Sequence, residues 1–192
     1  MRCENLRSVK GYIDVSENKN FTSIFGGCYE LTDINGLKFW KVDEGDNFMW
    51  LLSGCDSLKD VSALKDWNVS NGIIFTAAFY GCTYLSDITP LERWDVNKGK
   101  NFETMFNECK SLKDLKPLKN WNVTNGIIFA MMFEGCSSLV DISPLQDWNI
   151  SKGKSFFTMF DPPVMIKSNC LFEKLRQKNS GIKDMTTLCI IF

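Results

Sequence analysis

FETMFNECKSLKDLKPLKNWNVTNGII, residues 102–128, is one period of this chain. Its Trp121 has counterparts at Trp40, Trp67, Trp94 and Trp148, each 27 residues from the next. The same interval separates Cys28, Cys55, Cys82, Cys109 and Cys136, and it carries Phe21 through Phe48, Phe75, Phe102 and Phe129 to Phe156. A repeat of roughly 20 to 50 residues signals a solenoid, in which each unit buries its apolar face only by stacking on its neighbours. The spacing predicts one elongated repeat domain over residues 21–160, preceded by a partial N-terminal coil or cap at 1–20. An irregular break and a degenerate capping coil follow at 161–192, where Asp161, Pro162 and Pro163 interrupt the register. Residues 172–188, FEKLRQKNSGIKDMTTL, line up with 102–118 as a coil whose outer face meets water.

Within the unit, Phe102, Phe106, Cys109 and Leu112 fall at i, i+4, i+7 and i+10, the stripe of a short helix with one buried face. Asn47, Asn101 and Ser155 stand where a side chain would cap its first turn. The following L-K-D-L-K-P-L-K reads as the brief strand side of a leucine-rich repeat, kept short by Pro90, Pro117 and Pro144. Trp-x-Val suits a second extended piece facing the core. Gly45, Gly72, Gly99, Gly126 and Gly153 close the coils as turns expected to need positive φ. The fold class expected is therefore an α/β solenoid, leucine-rich-repeat-like, with a short helix and short parallel strands in each 27-residue coil. About five full coils stack between partial terminal ones, and no coil folds alone.

Composition narrows function. Basic and acidic side chains number 22 and 23, and no Lys/Arg stripe forms, which argues against nucleic-acid binding. No segment has the length and apolarity of a membrane span or signal peptide. As written, the chain reads as unexported; it may equally be read as part of a longer array. Histidine is absent, removing the commonest general base and metal ligand, so the expectation is no enzyme, no cofactor and no metal. Five of the eight cysteines share one repeat position, which favours buried thiols over disulfides between coils. Asp33, Asp60, Asp87, Asp114 and Asp141 form a ladder whose carboxylates either accept backbone amides or hold a cation between coils.

A solenoid carries recognition in the side chains that vary. Candidates are Tyr29, Glu30, Asp56, Thr83, Tyr84 and Lys110, just after each Cys, together with Glu92, Arg93 and Lys119, just before each Trp. A 54-residue rhythm also sets Ile73, Ile74, Ile127 and Ile128 against Lys100, Asn101, Lys154 and Ser155, giving two Ile pairs that could form an apolar contact. The expected partner is a protein, its identity unspecified. The alternatives are carbohydrate binding by an exposed aromatic ladder, and a fragment of a longer surface repeat protein.

The string MFxxCxSLxDLxPLxNWNVxNG over residues 105–126 resembles the repeats of BspA-like leucine-rich-repeat surface proteins. The resemblance spans residues 21–160 and implies a protein-interaction or adhesion scaffold at the cell surface or outside it. It brings no catalytic residues, and the chain departs from it in lacking an export signal and a wall anchor.

Overall fold

A computed structural model describes residues 3–161. Successive stretches of 27 residues lie one upon the next. Isolated parallel bridges run Asn20 to Asn47, Asn47 to Ile74, Ile74 to Asn101, Asn101 to Ile128 and Ile128 to Ser155. Like rings stack on like: Phe48 on Phe75 at 5.5 Å, Phe79 on Phe106 at 5.4 Å, and Trp67 on Trp94 at 6.5 Å, all within 8° of parallel. The interior is one continuous apolar column from Val9 to Phe160.

The segment read as a helix is not one. From Phe102 to Glu108 alternate amides leave the coil: Phe102, Thr104, Phe106 and Glu108 donate to the carbonyls of Ile128, Ala130, Met132 and Glu134 at 2.8–2.9 Å. The amides between them turn inward, Met105 to the Phe102 carbonyl and Asn107 to that of Thr104. A backbone that sends every second amide sideways cannot stay right-handed. Ser23, Trp50, Ala77, Thr104, Met131 and Thr158, one per coil, all take φ between 43° and 55°. Left-handed non-glycine residues cost about 1–2 kcal/mol each, and the crossing hydrogen bonds hold them there. The expected caps are correspondingly Asx turns, with Asn47 and Asn101 accepting the amides of Met49 and Glu103.

The expected strand is also corrected. Thr89–Leu91, Lys116–Leu118 and Ser143–Leu145 are short 3-10 turns, with Ser62–Leu64 and Asn35–Phe39 in the same place in earlier coils. Pro90, Pro117 and Pro144 sit in the first turn, where a missing amide costs nothing and the ring presets φ. The closing glycines are not left-handed either. A Cβ on Gly72, Gly99, Gly126 or Gly153 would collide with the ring of the Phe three residues on, so these positions are bare to admit a buried aromatic. The left-handed glycines are instead Gly27, Gly54, Gly81 and Gly135, with φ of 68–77°.

The 54-residue rhythm has a polar cause. Asn71 donates to the Asp43 carbonyl behind it and accepts the Lys98 ammonium ahead of it, and Asn125 does the same between the Asn97 carbonyl and Lys152. An Asn in one coil therefore requires a Lys in the next. At the N-terminal end residues 4–10 stack on the first coil, Val9 donating to Asp33 and accepting from Gly36. Val15 is buried as its slot predicts, but Ile13, in the Trp slot, is exposed. The expected break and capping coil beyond Asp161 lie outside the described residues. Asp161 itself accepts the Gly135 amide through its carboxylate, at 3.1 and 3.2 Å, where earlier coils use a main-chain carbonyl.

The fourth coil departs from its siblings at Glu108, left-handed at φ 60° where they carry glycine. Glu108→Gly removes that strain and forfeits only an exposed contact with Lys110. Its thermal midpoint should rise by about 2–4 °C, for about 1 kcal/mol gained. An unchanged or lower midpoint in a calorimetric scan would contradict the left-handed assignment.

Candidate functional site

The structure divides the sequence-derived candidates among three strips about a third of a coil apart, and they form no single site. Tyr29, Asp56, Thr83 and Lys110 lie on consecutive rungs of the first strip. The amides of Ser57, Tyr84, Ser111 and Ser138 donate to the carbonyls of Tyr29, Asp56, Thr83 and Lys110 at 3.1–3.4 Å, so the main chain fixes the spacing of their side chains. Glu30 meets Arg7 at 2.9 Å, and the Lys59 ammonium lies 5.5 Å from the centre of the Tyr84 ring. Burial raises the Asp56 carboxyl above its ordinary range, with Lys110 pulling it back.

Glu92, Arg93 and Lys119 occupy the second strip, exposed just beyond the 3-10 turns. Beside them a shallow cleft of about 260 Å³ is lined by Asp87, Thr89, Glu92, Asp114, Lys116 and Pro117. Its ladder carboxylates are already engaged: Asp87 accepts the Thr89 amide and Asp114 that of Lys116, both at 2.8 Å. Asp33, Asp60 and Asp141 accept their own amides two residues on in the same way. Bonding by the side chain and amide of Thr89 lowers the Asp87 pKa, and the Asn35 amide lowers that of Asp33. Among the described residues no three His, Cys, Asp or Glu side chains are grouped to hold a metal.

Ile73, Ile74, Ile127 and Ile128 form the third strip and are half-buried. Exposed Lys100 and the Asn101 rung lie between the two pairs, so the isoleucines make no continuous apolar face.

The structural ladders are interior. Trp40, Trp67, Trp94, Trp121 and Trp148 are 2–7% exposed, which leaves no ring face for a sugar. Trp67, Trp94, Trp121 and Trp148 each donate Nε1–H to the carbonyl of Leu37, Leu64, Leu91 and Leu118 in the coil behind, at 2.9–3.0 Å. Trp40 alone among them has a buried Nε1 with no acceptor. The thiols follow the same rule. Cys55, Cys82, Cys109 and Cys136 donate to the carbonyls of Phe25, Leu52, Phe79 and Phe106 at 3.2–3.3 Å. All five ladder cysteines, Cys28 included, are free thiols and buried.

Two aromatic residues were missed. Trp50 and Tyr80 are 47% and 41% exposed, on the side of the first three coils that also carries Tyr29 and Tyr84, at 40% and 56%. Trp50 stands where other coils have Ser23, Ala77, Thr104 and Met131, and Tyr80 where they have Gly26, Ser53, Asn107 and Glu134. Aligning the coils would have revealed both.

Residues 3–88 and 56–173 each match the family described as "Mycoplasma protein of unknown function, DUF285". Together the two matches span most of the chain, which belongs to that family. No curated protein and no solved structure matches it. No helix among the described residues is long and apolar enough to cross a membrane.

Burial holds the Cys82 and Cys109 thiols well above their usual range and raises Cys136 to about 12. A raised folded pKa contributes stability that is complete below the unfolded value. It is lost progressively as pH climbs past about 9 toward the folded values. Native protein at pH 8 should therefore resist iodoacetamide at all five ladder cysteines while Cys3, which is exposed, reacts; in denaturant all six should react. Peptide mapping that finds ladder cysteines alkylated as fast as Cys3 would refute their burial.

Proposed function

We propose that this chain is a non-enzymatic protein-interaction scaffold, a leucine-rich-repeat-type solenoid whose coils are interchangeable inside and individual outside. The observation that carries the reading is the first strip. A main-chain ladder holds five successive rungs at constant spacing, while the side chains on those rungs differ from coil to coil. Tyr29, Trp50, Tyr80 and Tyr84 add large, half-exposed rings to the same side, and such residues carry a disproportionate share of protein–protein binding energy. The resemblance to BspA-like surface proteins supports adhesion as the setting. The absence of histidine and the engagement of every ladder carboxylate by its own backbone support a reading without catalysis.

Serine already occupies the equivalent of each aromatic position in a sibling coil: Ser23 for Trp50, Ser53 for Tyr80, Ser57 for Tyr84 and Ser137 for Tyr29. The variant Tyr29→Ser, Trp50→Ser, Tyr80→Ser, Tyr84→Ser should therefore keep its fold. Immobilised wild-type chain should retain a defined protein from host-cell surface extract, and this variant should lose it by at least about tenfold, the effect of removing 1.4 kcal/mol or more. Equal retention by both proteins, or retention of glycan alone on a carbohydrate array, would overturn the proposal.

A further inference from the structure

The N-terminal edge of the first coil is unlike the same edge of any later one. Ile24 is 38% exposed, whereas Leu51, Ala78, Met105 and Met132, in the same slot, are fully buried and Met159 nearly so. The main chain agrees. The carbonyls of Met49, Leu51 and Ser53 accept the amides of Ser23, Phe25 and Gly27 at 2.7–3.0 Å, and this pattern recurs at each later junction. No amide among the described residues donates to the carbonyls of Thr22, Ile24 or Gly26.

Residues 4–10 cover a different part of this face. The amides of Glu30 and Thr32 donate to the carbonyls of Glu4 and Arg7, and Gly36 donates to that of Val9. The ladder beside residues 20–27 is thus left with acceptors facing outward and an aliphatic side chain in solvent. An edge of this kind has one complement. Two copies meeting edge to edge would oppose carbonyl to carbonyl, so self-pairing is excluded, whereas the opposite face of every coil sends out amides alone at the matching spacing.

We propose that this edge is a docking slot for an extended segment of a second polypeptide carrying the same repeat, of the pattern Phe-x-x-aliphatic-Phe-x-Gly-Cys. It would lie parallel to residues 21–28, donate alternate amides to Thr22, Ile24 and Gly26, and cover Ile24 with its fourth side chain. Strand addition of this kind takes affinity from main-chain hydrogen bonds and register from the side chains between them. The slot is separate from the aromatic strip, so neither proposal depends on the other.

The test uses the full chain under reducing conditions and a labelled, end-blocked peptide of residues 129–136, FAMMFEGC. Fluorescence anisotropy should show saturable binding, and the peptide should raise the thermal midpoint of the chain. N-methylation of the peptide at the Met131 and Phe133 positions removes the donors aimed at Thr22 and Ile24. It should weaken binding by at least about tenfold, as should Ile24→Asp in the chain. No saturable binding, or equal binding by the methylated peptide, would overturn the proposal whatever the folding of Ile24→Asp.

Discussion

Everything in this molecule depends on alternate main-chain amides crossing from one coil to the next. Four such bonds join each pair of coils along the segment that opens with Phe, as from Phe75, Ala77, Phe79 and Gly81 to Asn101, Glu103, Met105 and Asn107. Each contributes only about 1 kcal/mol net, but together they fix the register of everything they carry. They impose a left-handed residue in every coil, and that strain is tolerated because the next coil holds the amide in place. They also set the stacking distance of the aromatic columns, since identical side chains on successive rungs must pack face to face.

The same constraint governs polar groups. A buried indole N–H or thiol costs free energy unless it is bonded, and both find a carbonyl 30 residues earlier. Aspartate and asparagine at the corners turn back on amides two residues ahead, so charge repulsion along the Asp ladder is offset within each coil. Little inside is spared for chemistry. What distinguishes one coil from another lies outside, and there the first three coils concentrate aromatic rings that the fourth and fifth replace with Asn107, Lys110, Glu134 and Ser137.

The period, the identity of the interior residues and the outward position of the variable ones were all legible in the chain itself, because burial at a fixed interval leaves a direct mark. The local conformation was not. Phe102, Phe106, Cys109 and Leu112 point inward at helical spacing, yet a run of turns that alternates inward and outward amides presents the same residues to the core. The deciding feature is main-chain hydrogen bonding, which side-chain pattern does not record. The glycines misled for a related reason. Gly72 and Gly126 are invariant across the coils because a ring fills their space, whereas the left-handed site tolerates Trp50 and Thr104 and so shows no glycine signature. Exposure of Trp50 and Tyr80 was recoverable only by comparing coils position by position.

Register makes a demand that size does not. Excising residues 75–128 removes two whole coils and joins Ile74 to Phe129, preserving both the ladder and the Asn-to-Lys alternation through Asn71 and Lys152. Excising residues 75–115 removes less chain but sets the remaining coils out of step. Thermal unfolding followed by circular dichroism should show a cooperative transition at reduced temperature for the larger deletion and none for the smaller. A cooperative transition in the smaller deletion, or its loss in both, would contradict the claim that each coil is held by its own copy.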